Sequence, residues 1–211
     1  MRLILTALLF CYSKGRDKRS FFLGSVGAWR ISFYNAIKLI CLFIICMTTF
    51  IAYANIQQPF SFDEIPTDLV PEYLRMELHG NSRITQRHQC RRLAHFLLWQ
   101  LLKTAGKSTA LLEQIYRTQS GRPQFSVDNI DFNISHSGDW VAVLLHINKS
   151  EKSAVGIDIE FSKKRSFSAL MAHFAPQAEQ EWFAKQLDEE QAFYRCWCLR
   201  EAVLNHKVLE L

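Results

Sequence analysis

Val155-Gly156-Ile157-Asp158-Ile159-Glu160 alternates branched apolar residues with glycine and acids, the period-two pattern of a half-buried strand. On such a strand Asp158 and Glu160 point to one face, side by side. Carboxylates held that close repel unless a positive group lies between them, and a hard divalent cation bound through oxygen is the simplest such group. The segment is therefore a candidate metal site. Just upstream, Asn133-Ile134-Ser135-His136-Ser137 adds hydroxyls and an imidazole suited to an anionic ligand.

The chain has 211 residues, 25 of them Lys or Arg and 20 Asp or Glu, for a formal charge of +5. That excess is local. Residues 1–46 carry seven basic residues against Asp17 alone, leaving 18 basic against 19 acidic in the rest. The body has no charge excess of the kind nucleic-acid binding needs, so nucleic acid is not an expected partner.

Residues 1–46 read as a basic and apolar leader outside the fold. Leu3–Phe10 is a short apolar run without a small-residue cleavage site, which argues against a signal peptide. Leu39–Ala54 falls slightly short of the ~20 residues of a membrane span. A membrane anchor within residues 1–56 is the alternative to a start at Met47, after which Thr48–Ile56 reads as a first strand. Six cysteines without a CxxC pair suggest neither zinc nor a disulfide framework, and point to reduced thiols in the cytoplasm.

Pro59–Leu78 reads as loop, followed by a helix from about Arg83 to Lys103 with Leu93, Phe96, Leu97 and Leu101 inward and Gly106 past its end. Arg83, Arg87, Arg91 and His95 recur every four residues, as either a solvated face or a phosphate-binding ridge. Ser120-Gly121-Arg122-Pro123 has turn composition. Phe132–Ile134 reads as a strand, Ser135–Asp139 as a polar turn, and Trp140–Leu145 as an apolar strand. A helix is expected after Pro176 and a last one from about Glu189, with Phe193, Trp197 and Leu204 on its apolar face. Glu201, at the edge of that face, is either a rim ion pair with Arg200 or a lysine, or a third ligand or base beside Asp158 and Glu160.

Four blocks in order, Gly121-Arg122-Pro123, Phe132 to Ser137, Gly156 to Glu160, and Trp197-Cys198-Leu199-Arg200-Glu201-Ala202, resemble the 4'-phosphopantetheinyl transferases. The likeness runs from roughly Met47 to Val203 and is to the long, monomeric group that activates peptide and polyketide synthetases and fatty-acid carrier proteins. It implies an α+β fold, a pseudodimer of two similar halves, here 47–150 and 151–211. It also implies transfer of the phosphopantetheine arm of coenzyme A to a serine of an acyl or peptidyl carrier protein, with release of 3',5'-ADP. Magnesium would sit on Asp158, Glu160 and Glu201, with Glu201 also the base. Arg91, Arg122, Pro123, Ser135 and His136 would contact coenzyme A, His136 at the 3'-phosphate.

Two departures from the family pattern stand out. Asn205 occupies the position of a family lysine, and the strands expected after the last helix are missing, so the second half reads as incomplete. The alternative to an active transferase is a truncated, defective remnant that at most binds coenzyme A or carrier protein.

Overall fold

The structure is a computed structural model. It describes the backbone of residues 3–11, 19–23, 30–34, 37–44, 47–80, 82–148 and 153–207, and the side chains of 49–80, 82–148 and 154–204. In chain order come strands β1 (Leu3–Cys11), β2 (Arg19–Leu23), β3 (Arg30–Tyr34), β4 (Ile37–Ile44) and β5 (Met47–Asn55), then helices α1 (Glu72–Arg75) and α2 (Arg83–Thr104). Strands β6 (Ile115–Arg117), β7 (Pro123–Phe125), β8 (Ile130–Ser137), β9 (Trp140–Asn148) and β10 (Ser153–Phe161) follow. Helices α3 (Phe167–Phe174), α4 (Gln177–Phe183) and α5 (Glu189–Lys207) complete a mixed α+β architecture.

Five strands form an antiparallel sheet in the order β3-β4-β5-β9-β8. Helix α2 starts at Ser82, whose hydroxyl accepts from the Thr85 N–H at 3.1 Å and so satisfies a donor that every helix start leaves open. Leu93, Leu97, Leu101 and Phe96 of α2 bury against Phe132, Val141, Val143 and Leu145 of the sheet, each burial stabilising by about 2 kcal/mol. A second cluster joins the three C-terminal helices, with Phe167, Met171, Phe183 and Phe193 at its centre and the Phe193 and Trp197 rings stacked at 6.1 Å.

Strand β8 ends one sheet and β10 ends the other, in the order β10-β1-β2. Side chains of β8 bridge the two edges. Val155 N–H donates to Asp131 Oδ2 at 2.8 Å, Ile157 N–H to Asn133 Oδ1 at 3.0 Å, Ile159 N–H to Ser135 Oγ at 3.3 Å and Phe161 N–H to Ser137 Oγ at 3.2 Å. Both strands advance by two residues per bond, so they run in the same direction. An edge strand with unpaired N–H groups is costly or aggregation-prone; here alternate polar side chains satisfy those groups in place of a backbone ladder.

Several expectations need correction. Residues Ser135–Ser137 are strand and not turn: β8 continues to Ser137, which pairs with Trp140 across Gly138-Asp139. Gly138 takes φ 58°, the left-handed conformation that two-residue hairpin turns require. His95 is no member of an exposed stripe; it is 7% exposed, Nε2 contacts the Leu69 carbonyl at 2.9 Å, and burial lowers its pKa. Leu204 is 54% exposed and lies off the apolar face of α5. In the leader the backbone pairs β1 with β10 and β4 with β5; its side chains lie outside the described ones, as does that of Asn205. Among the described residues no helix is long and apolar enough to cross a membrane.

Candidate active site

Strand β10 and helix α5 bring the acids together. A Cβ on Gly156 would stand 2.0 Å from the Ala202 carbonyl oxygen, so only glycine lets the helix backbone approach the strand this closely. Ala202 follows Glu201 directly, and Asp158 lies two residues beyond Gly156 on the same face. This contact therefore delivers the α5 carboxylate to the β10 pair.

Asp158 is 6% exposed. Ser135 Oγ donates to its Oδ1 at 2.8 Å, while Oδ2 is buried without a hydrogen-bond partner. Desolvation pushes its pKa up to about 6, and the charges of Glu160 and Glu201 push the same way against the Ser135 and Cys198 hydrogen bonds. Glu160 is held at both oxygens, by Ser137 Oγ at 2.8 Å and by the Trp197 indole N–H at 3.3 Å. Arg200 does not pair with Glu201; it binds Glu179 at 2.6 Å. Among the described residues no three His, Cys, Asp or Glu side chains close on one ion. The donor set nevertheless fits a hard cation, because among the described residues the three acids and the orphaned buried oxygen have no positive partner.

The remaining sequence candidates are spread over neighbouring elements. Arg122 is buried, its Nη2 donating to Asp131 Oδ2 at 2.7 Å and to the Phe132 and Val155 carbonyls at 3.1 and 3.0 Å; it ties β8 to β10. Pro123 opens β7 and is half-buried. The Ser135 hydroxyl is turned to Asp158. His136 alternates to the other face of β8 and is exposed, as is Arg91 on α2.

A cleft of about 480 Å³ opens beside the β8–β9 turn, lined by Ile56, Leu78, His79, Arg83, Gln86 and Asp139 among others. Asp139 is anchored in it by Gln86 Nε2 at 2.6 Å and Gln57 Nε2 at 3.2 Å. Sequence reasoning missed this cleft, since its walls come from segments far apart in the chain. It also missed Ser137 and Trp197 as partners of Glu160, although the polar period of two in Asp131, Asn133, Ser135 and Ser137 was a usable signal.

The α+β scaffold thus carries Asp158 and Glu160 on a strand and Glu201 on the helix that covers it. The sequence model of the 4'-phosphopantetheinyl transferase superfamily matches residues 154–204. A putative 4'-phosphopantetheinyl transferase of Haemophilus influenzae is 67% identical over 159 residues, covering 75% of this chain and 68% of the relative. A 4'-phosphopantetheinyl transferase of Salmonella typhi is 34% identical over 131 residues, 60% of this chain and 65% of the relative. One from Bacillus subtilis is 34% identical over 77 residues, 36% of this chain and 32% of the relative. The chain belongs to the 4'-phosphopantetheinyl transferase family. It spans about two thirds of the length of the Haemophilus and Salmonella relatives.

Proposed function

We propose that this chain moves the 4'-phosphopantetheine arm of coenzyme A onto a serine of an acyl or peptidyl carrier protein, releasing 3',5'-ADP, in a magnesium-dependent reaction. The observation that carries this reading is the buried Asp158, its Oδ2 unpartnered, beside Glu160 and Glu201 in a chain of this family. Asp158, Glu160 and Glu201 would hold the magnesium, which supplies neutralisation of pyrophosphate charge as the phosphoryl bond breaks.

The protein's own groups do the rest. Glu201, half-exposed at the end of the acid cluster, takes the proton from the carrier serine at its carboxylate. The exposed His136 and Arg91 meet the nucleotide phosphates, the guanidinium matching phosphate geometry. The cleft beside Asp139 receives the nucleotide end, and its residues exclude water and orient the pyrophosphate toward β10. Arg122, Pro123 and Ser135 support that pocket from behind, through β8.

We assign the chain to the long, monomeric group with two pseudo-equivalent halves meeting at the β8–β10 seam. The free thiols of Cys90 and Cys196 suit the reducing cytoplasm. The test is nucleotide release: with magnesium, coenzyme A and an apo carrier protein, 3',5'-ADP accumulates only when carrier is present. Asp158→Ala abolishes the release; an active Asp158→Ala variant refutes the metal assignment.

A further inference from the structure

We propose that Ser135 and Ser137 are positioning residues for the two β10 carboxylates, each hydroxyl setting the rotamer of one acid toward the cation. This rests on the magnesium reading above. A serine hydroxyl has one hydrogen and two lone pairs. Ser137 Oγ accepts the Phe161 N–H at 3.2 Å, so its single hydrogen is free for Glu160 Oε2, 2.8 Å away. Ser135 repeats the arrangement two residues earlier, accepting from Ile159 N–H at 3.3 Å and donating to Asp158 Oδ1 at 2.8 Å.

The repetition has a geometric cause. Strands β8 and β10 run in the same direction with a constant offset, so a hydroxyl every second residue on β8 meets a carboxylate every second residue on β10. Asp131 and Asn133 occupy the two preceding steps and also accept β10 N–H groups. The acids precede Ile159 and Phe161 by one residue, and the matching positions before Val155 and Ile157 are Ala154 and Gly156, which offer no carboxylate. Only the two serines therefore join the seam to the acids. The clamp on Asp158 engages Oδ1 and leaves the buried Oδ2 without a partner, and the Trp197 indole completes the grip on Glu160 from α5. Groups of this kind orient metal ligands, and their loss weakens metal binding by about ten- to a hundredfold.

The test uses the full chain with coenzyme A and reads Mn²⁺ binding by electron paramagnetic resonance, with no carrier protein and no turnover. Ser137→Ala weakens Mn²⁺ binding by about tenfold or more, while Ser137→Thr, which keeps the hydroxyl, recovers most of the loss. In a Glu160→Gln background Ser137→Ala adds little further loss, because the acid it orients is already gone. Equal Mn²⁺ affinity in wild type and Ser137→Ala overturns the clamp alone, as does an undiminished loss in the Glu160→Gln background, which would mark a merely structural seam. A wild-type chain that binds no Mn²⁺ overturns the magnesium reading and the clamp with it. Should Ser137→Ala lose the wild-type far-ultraviolet circular dichroism, Ser135→Ala with Asp158→Asn decides in the same way; unfolding of both serine variants overturns the proposal, since the hydroxyls would then serve the fold alone.

Discussion

Arg122 is the residue at which motif and geometry diverge most. As part of Gly121-Arg122-Pro123 it reads as a cation in a turn, available to a phosphate. In the folded chain both it and Asp131 are almost fully enclosed, with side-chain exposures of 5% and 8% and a 2.7 Å contact. Burial raises the pKa of Asp131, and the Arg122 charge is the largest influence holding it down. Removing one partner of such a pair leaves the other charge buried alone, which costs about 3–5 kcal/mol. Arg122→Met should therefore lower stability by about that amount in urea unfolding. A variant of unchanged stability but weakened coenzyme A binding would return Arg122 to the role its motif suggests.

At the scale of elements, strand β10 was legible because apolar and acidic residues alternate through Val155–Glu160. Helix α2 was legible because its apolar spacing is sustained, and its observed span of Arg83–Thr104 differs from the expected one by a single residue. Spacing alone could not say how much of α2 is covered. His88, Arg92 and His95 are buried because the segment before the helix folds over that side: Phe62 lies under the Arg92 guanidinium at 4.3 Å, and the Met76 and Leu69 carbonyls meet the two imidazoles. Ser135-His136-Ser137 looked like a turn because its composition is polar. Polar side chains suit a strand there because β10 supplies N–H groups for them to accept.

The junction of α5 and β10 makes a prediction at the same scale. Gly156→Ala forces a methyl into the Ala202 carbonyl, where backbone rather than a flexible side chain must yield. The helix must lift, at a cost of roughly 3 kcal/mol or more, and Glu201 moves away from Asp158 and Glu160. A loss of both thermal stability and Mn²⁺ affinity is the expected result. Wild-type stability in Gly156→Ala would mean that the helix does not approach the strand this closely.

The molecule as a whole is organised around one seam. On one side lie the five-stranded sheet, α2 and the cleft at the β8–β9 turn; on the other lie β10 and the aromatic cluster of α3, α4 and α5. The seam holds the acids, and the cleft begins where β8 leaves it. The proposed function would place the nucleotide end of coenzyme A in the cleft and its pyrophosphate toward the acids. The family and the acid pair on β10 were legible in the motifs, whereas the cleft and the side-chain seam depend on contacts between segments 24 to 83 residues apart.

The most direct measurement is the mass of an apo carrier protein after incubation with the full chain, coenzyme A and magnesium. The account predicts a mass increase of one phosphopantetheine arm on the carrier serine, absent when magnesium is chelated and absent with Asp158→Ala. A folded chain that binds coenzyme A yet leaves the mass of every carrier type unchanged would contradict it, and would make this a binding remnant rather than a transferase.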